Sequence, residues 1–491
     1  MPKNSRVPRR GTMPSRGTPP SRGAPPSRDA APTTDISVYD RMCWPEAELE
    51  RALALGAHRL ELAAYLGGNE YDTLAALARQ CESLRRRRSA APGRAAQAGR
   101  ATRARGAKSA RRRLKVYLLP GILGTQLGRP RAPGEPPDLL WIDPADIVHG
   151  RLVELRPPAP LQPLGAVVYS YLSLKLRLTA AGFDVVLHDY DWRGDVLATG
   201  RALAQRLQAD DAAELALVGH SMGALVARAA LAHYGNGTGA ERIKRLIGVG
   251  APHGGSIAAV QALRATYPIV GRLAAIDRVH DAHSLTRLAF SRFMSLYQLL
   301  PSVLPTLDLF DPAEWPRAGA RPDPALLHAA RNFAGQLATP DPRFFSIVGT
   351  GQRTVTGIER RGAQFRYQVS SAGDGTVACA RATLPGVPSY SLRCDHGELT
   401  RSPQVAAALV DLLQHDHTRQ LRAALVARPG RSSFVTDAGL RRELGRKVDW
   451  FRLSIGQRRQ YLNRLNAPPA SYRAPKRASR TASRRRTAAT E

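Results

Sequence analysis

The sequence predicts an α/β protein: a mostly parallel central sheet flanked by helices, with an inserted cap or lid, a small N-terminal helical module and basic disordered flanks. Three observations predict it. Between residues 114 and 416, short apolar runs alternate with segments of helical periodicity, as strands joined by crossover helices do. One such run, Leu215-Ala-Leu-Val, leads into Gly219-His-Ser-Met-Gly and then into an Ala/Leu-rich helical pattern from Ala224 to Leu231. Two later loops, each after a strand-like run, hold Asp374 and His396, so a hydroxyl, a carboxylate and an imidazole follow one another along the chain.

The central pentapeptide reads as a sharp strand-to-helix turn. Gly219 and Gly223 lack the Cβ atoms that would collide there, so Ser221 is expected at the tip in a strained conformation with its Oγ exposed. A helix N-terminus behind it and the Met222 backbone N–H beside it suit the stabilisation of a developing oxyanion. Earlier in the chain, Leu114-Lys-Val-Tyr-Leu-Leu reads as a strand that stops at Pro120-Gly121, and the loop after it offers the Ile122 N–H as a second donor. Asp374, between two glycines in Gly373-Asp-Gly-Thr-Val, suits the group that fixes an imidazole tautomer, and His396 suits the general base. The order Ser221, Asp374, His396 is that of the α/β-hydrolase triad. This chemistry calls for no metal and no cofactor.

Charge divides the chain. The formal net charge is +32, but residues 1–113 carry 23 Lys/Arg against 10 Asp/Glu, residues 417–491 carry 19 against 4, and the span between them carries 30 against 26. A near-neutral body with basic arms argues against an enzyme of nucleic acids, and no specific nucleic-acid partner is expected. The arms suit peripheral contact with an anionic membrane or simply solubilising tails. Cys43, Cys81, Cys379 and Cys394 are too few and too scattered for a disulfide framework or a zinc site, and whether Cys379 and Cys394 pair is left open. No apolar run reaches the ~20 residues of a membrane-spanning helix, and the basic start has no apolar run behind it, so a cytoplasmic location is expected.

In order, residues 1–33 form a Pro/Arg-rich repeat expected to be disordered, 34–84 a small helical module broken at Gly67-Gly68, and 85–113 a basic linker. Residues 114–416 form the catalytic domain, with the cap at about 257–340, and 417–491 a basic extension. Within the domain, Asp189, Asp191 and Arg193 read as a structural ion cluster, and Trp192 as core or as a lining of the acyl site. His253 lies in a Gly-rich loop at a strand's carboxyl end. Its place in the chain suits pocket lining better than catalysis. The cap's Leu288, Phe290, Phe293, Met294, Leu296, Tyr297, Leu299 and Leu300 suit an acyl tunnel.

Five motifs resemble the lecithin:cholesterol acyltransferase (LCAT)-like group of α/β-hydrolases: Pro120-Gly-Ile-Leu-Gly-Thr-Gln-Leu, Tyr190-Asp-Trp-Arg, Gly219-His-Ser-Met-Gly, Gly250-Ala-Pro-His-Gly-Gly-Ser with the loop at Gly373, and the loop of His396. The resemblance spans about 114–415. It implies an acyl-enzyme on Ser221, with His396 as base, Asp374 orienting it, and Ile122 with Met222 as oxyanion donors. It also implies lipid or other hydrophobic esters as substrates, with water or an alcohol as acceptor. His253 departs from the aromatic residue common at that point, and the expected secretion signal and disulfides are not apparent, which puts a lipoprotein-type substrate in doubt. The Arg/Ala-rich composition suits a bacterial member. The alternative is a non-catalytic binding protein of the same fold that uses its basic arms.

Overall fold

The computed structural model describes residues 45–95, 114–234, 239–424, 432–444 and 447–465. The repeat at 1–33, most of the basic linker, Cys43 and residues 466–491 lie outside them.

Three helices open the described chain: α1 (Glu46–Leu55), α2 (Arg59–Leu66) and α3 (Gly68–Ala95). Helix α3 runs on through the arginine run expected to begin a linker. Arginine is a good helix former, and Arg85 reaches back to Glu50 at 2.6 Å while Arg86 pairs with Glu82 one turn earlier. The main domain then contributes β1 (Leu114–Leu119), β2 (Thr125–Arg129), β3 (Asp138–Trp141), β4 (Gln162–Ala166), β5 (Asp184–Leu187), β6 (Glu214–His220) and β7 (Ile243–Val249). After the cap come β8 (Phe344–Thr350), β9 (Thr354–Arg361), β10 (Gln364–Ser370) and β11 (Ser389–Arg393). β12 (Arg422–Ala423) and β13 (Ser433–Thr436) belong to the extension. The principal helices around the sheet are α4 (Val168–Ala180), α5 (Val196–Ala209), α6 (Met222–Tyr234) and α7 (Pro403–His415).

The central sheet has the order β12-β11-β8-β7-β6-β1-β5, parallel throughout except for the antiparallel edge strand β12. Strand β6 shows why it is central. Leu215 and Leu217 join the core on the α6 side, while Ala216 and Val218 join Leu174 and Leu178 of α4 and Leu409 of α7 on the other. Both faces are therefore apolar, as a buried parallel strand requires. Two three-stranded antiparallel sheets, β13-β10-β9 and β3-β2-β4, flank it. The cap between β7 and β8 holds the helices Ile257–Leu263, Pro268–Ile276, Ala282–Leu288, Met294–Gln298 and Pro324–Ala330.

The helical module packs on the domain. Leu49, Leu53, Leu62 and Leu74 form one cluster with Val168, Leu172 and Leu176 of α4, and beside it Lys175 is held by Glu46 and Glu50. The C-terminal extension also packs, as β13, α8 (Asp437–Glu443) and α9 (Ile455–Asn463). Among the described residues, no helix is long and apolar enough to cross a membrane, and no group of His, Cys, Asp or Glu could hold a metal.

Candidate active site

Strand β6 enters α6 through Ser221, whose φ is 51°, a left-handed value that a side chain adopts only when its surroundings force it. The glycines do the forcing. A Cβ on Gly219 would lie 2.3 Å from the Ala224 nitrogen, and one on Gly223 would lie 2.4 Å from the Leu119 carbonyl oxygen and 2.5 Å from that of Pro120. The turn therefore presses against the end of β1, and a Cβ on Gly121 would meet the Ser221 Cβ at 2.9 Å. The loop after β1 is thus seated directly on the serine.

Asp374 and His396 come together from the loops before and after β11. The His396 Nδ1–H donates to Asp374 Oδ2 at 2.7 Å, and the His396 backbone N–H donates to the Asp374 carbonyl at 2.9 Å. The other carboxylate oxygen, Oδ1, accepts the backbone N–H groups of Thr376 at 2.9 Å and Val377 at 2.7 Å. Both side chains are buried, and the pairing leaves Nε2 of His396 as the basic nitrogen. Ser221 and His396 line the same cavity, without a hydrogen bond between them in this unliganded arrangement. Such contacts commonly tighten only when substrate binds. Among the described residues, neither the Ile122 nor the Met222 backbone N–H has a protein acceptor. Met222 is the first residue of α6, so its N–H is one of the donors a helix leaves free.

A second network joins these parts. The Gly121 N–H donates to the Tyr171 hydroxyl at 2.9 Å, that hydroxyl donates to His220 Nδ1 at 2.9 Å, and His220 Nε2–H donates to the His396 carbonyl at 3.1 Å. Burial, assisted by the neighbouring His396, pushes the His220 imidazole down to about 3. It is neutral at ordinary pH, as this donor order requires. Sequence reasoning missed both groups. His220 stands in the pentapeptide itself, but Tyr171 lies on α4 with nothing local to mark it.

The cavity over Ser221 measures about 100 Å³, and its wall is apolar where the cap supplies it: Ile269, Val270, Phe290, Phe293, Leu296 and Leu299. Of the residues expected at the pocket, Leu288, Met294 and Leu300 do not line it, nor do Trp192, Tyr297 and His253. Trp192 is fully buried, donates its Nε1–H to the Thr125 carbonyl at 2.9 Å and packs edge-on against Trp141 and Phe293. Tyr297 is buried with its hydroxyl between the Ser291 carbonyl and the Asp323 N–H. His253 turns under Gly248, where a Cβ would sit 2.9 Å from its Nε2, and faces a separate crevice with Leu300, Phe310 and Phe333. The expected ion cluster forms in part: Arg193 pairs with Asp191, whereas Asp189 accepts the Gly165 N–H. Cys379 and Cys394 are both free thiols.

A model of the lecithin:cholesterol acyltransferase family matches residues 181–307, about a quarter of the chain, from the start of the β5 segment through the elbow and into the cap. Over that stretch the chain is similar to the LCAT family, and the architecture around it is that of an α/β-hydrolase. No curated protein matches the chain. Among solved structures, the propeptide form of the Bacillus licheniformis lipase BlEst2 aligns at 13% identity and a TM-score of 0.33, covering 65% of this chain and 53% of its own. The chain thus spans about half the length of that form. The Tle4–Tli4 complex aligns at 16% identity and a TM-score of 0.39, covering 60% of this chain and 97% of the other. An extracellular α/β-hydrolase from a Paenibacillus species aligns at 13% identity and a TM-score of 0.26, covering 61% and 98%.

Proposed function

We propose that this LCAT-like protein transfers the acyl group of a hydrophobic ester through an acyl-enzyme on Ser221. The observation that carries the reading is the placement of a left-handed serine in one cavity with a histidine bonded to a buried aspartate. Ser221 Oγ attacks the ester carbonyl while His396 Nε2 takes its proton, and Asp374 holds the imidazole and stabilises its cation. The carbonyl oxygen, now negative, is received by the N–H groups of Ile122 and Met222 at the start of α6. Collapse of the adduct breaks the ester C–O bond, and His396 returns the proton to the departing alcohol. Water or a second alcohol then repeats the sequence in reverse to free the serine.

The test is hydrolysis of p-nitrophenyl esters by the wild type and by Ser221→Ala, with fluorophosphonate labelling of both. The expected outcome is labelling of the wild type alone and a loss in kcat of at least about 1000-fold in the variant. A wild-type protein that neither turns over nor labels would leave the fold as a binding scaffold.

A further inference from the structure

The Ser221 cavity is not the larger hollow on this face. Outside it, and sharing Leu123, Ser170, Ile269 and Gly397 with its wall, opens a vestibule of about 1120 Å³. Its roof comes from two elements outside the resemblance to the family. Helix α2 contributes Leu60, Glu61, Ala64 and Tyr65, and α9 with the turn after it contributes residues from Ile455 to Leu465. One arginine joins the two halves: the Arg459 Nη1 donates to the carbonyls of Ala64 at 3.2 Å and Ala63 at 3.5 Å, near the carboxyl end of α2. Both walls are mostly apolar, but charged side chains differ between them: the vestibule adds Glu61, Asp395 and Arg464 to an apolar lining that includes Leu60, Trp141 and Leu462.

We infer that the substrate is an ester of a short acid with a bulky amphiphilic alcohol, the acid half filling the inner cavity and the alcohol half the vestibule roofed by α2 and α9. Size decides the assignment. A sealed apolar cavity of about 150 Å³ takes up benzene, so one of about 100 Å³ holds an acyl tail of roughly four carbons. The vestibule, with more than ten times that volume and an apolar wall that also carries hydrogen-bonding groups, fits a large amphiphilic alcohol. The inference rests on Ser221 as nucleophile. The helical module and the C-terminal helix become parts of substrate selection rather than appendages.

The experiment uses the full chain with p-nitrophenyl esters from acetate to palmitate, and with dibutyryl-glycerophosphocholine as a soluble ester of a large amphiphilic alcohol. The wild type is expected to peak near butyrate and to fall at least tenfold in kcat/KM by decanoate. Ala64→Trp, which fills the vestibule, is expected to lower the ratio of kcat/KM for the phosphocholine ester to that for p-nitrophenyl butyrate at least tenfold. Ile455→Trp, at a residue 64% exposed and so harmless to packing, is expected to shift the ratio the same way. A labelled, active enzyme whose profile rises to palmitate, or a ratio unchanged in both variants, overturns the inference alone. Absence of fluorophosphonate labelling removes the nucleophile and this inference with it.

Discussion

At the scale of single residues, the Tyr171 hydroxyl has an unusual position because both of its partners adjoin the proposed reaction centre. It accepts from the loop that offers the Ile122 N–H, and it donates to a histidine whose other nitrogen holds the His396 carbonyl. Tyr171→Phe keeps the ring and strands two buried polar groups, the Gly121 N–H and His220 Nδ1. The cost is about 1–3 kcal/mol for each group left unpaired, and it falls on the geometry of the oxyanion loop. The expected outcome is a drop in kcat of about 10- to 100-fold with KM within about twofold, since the groups that touch a substrate tail are unchanged. Steady-state kinetics on p-nitrophenyl butyrate checks this, and a kcat within twofold of wild type would assign the network to packing alone. The contrast with Ser221 explains what a sequence makes legible. The elbow's steric demand is written within five residues, two of them glycines, whereas Tyr171 reaches the site from one face of an ordinary amphipathic helix fifty residues upstream. Trp192 takes the core reading of the two its place allows, and Tyr297 is packing as well, because a buried aromatic beside a site is as often what holds a wall as the wall itself.

At the scale of elements, the parallel strands and their crossover helices were legible because each carries its own apolar periodicity, but the C-terminal extension was not. Composition alone makes residues 417–491 a basic tail. What anchors 433–465 is a set of long-range pairings that no local pattern announces: β13 pairs with β10, and Asp437 is buried between Arg264 of the cap and the hydroxyl of Tyr367 on β10. Arg264 donates to Asp437 at 2.6 and 2.9 Å and also to the carbonyls of Pro316, Ala318 and Ala320, so its charge is fully enclosed. Asp437→Ala removes the counter-charge and leaves the guanidinium buried, which costs about 3–5 kcal/mol. The midpoint of urea unfolding should fall accordingly, while Asp437→Asn, whose amide oxygen still accepts from Arg264 and whose NH2 can donate to the Tyr367 hydroxyl, should lose less. Equal midpoints for Asp437→Ala and wild type would mean that the extension is not held by this pair. The helical module shows the same limit. Its helices follow from periodicity, but their docking on α4 rests on Lys175 meeting Glu46 and Glu50 across more than a hundred residues.

At the scale of the whole molecule, three histidines are enclosed as neutral groups, and together they set how stability responds to acid. Burial pushes His220 down to about 3, with help from His396, and His253 down to about 3, with help from Arg228. Burial and the neighbouring Arg206 push His188 down to about 4. The ordinary imidazole value is about 6.5, so between that value and these lowered ones the unfolded chain binds protons that the folded chain refuses. The contribution is therefore complete above about pH 6.5 and is lost progressively as the pH falls, with a slope of up to about 1.4 kcal/mol per pH unit for each histidine. The lowered carboxylates of Asp138 and Glu154 act below this window, whereas burial raises Asp146 and Glu398 toward it and opposes the decline, so the histidine share is read by removing one histidine. Urea titrations at several pH values should show stability declining from about pH 6.5 to about pH 5. His253 is the one to remove, because its Nδ1 is buried without a hydrogen-bond partner and it lies outside the Ser221 cavity. His253→Leu should make the decline shallower by about one third of the histidine share while leaving the other two contributions in place, and a slope identical to that of the wild type would show that this imidazole gains access to protons without unfolding.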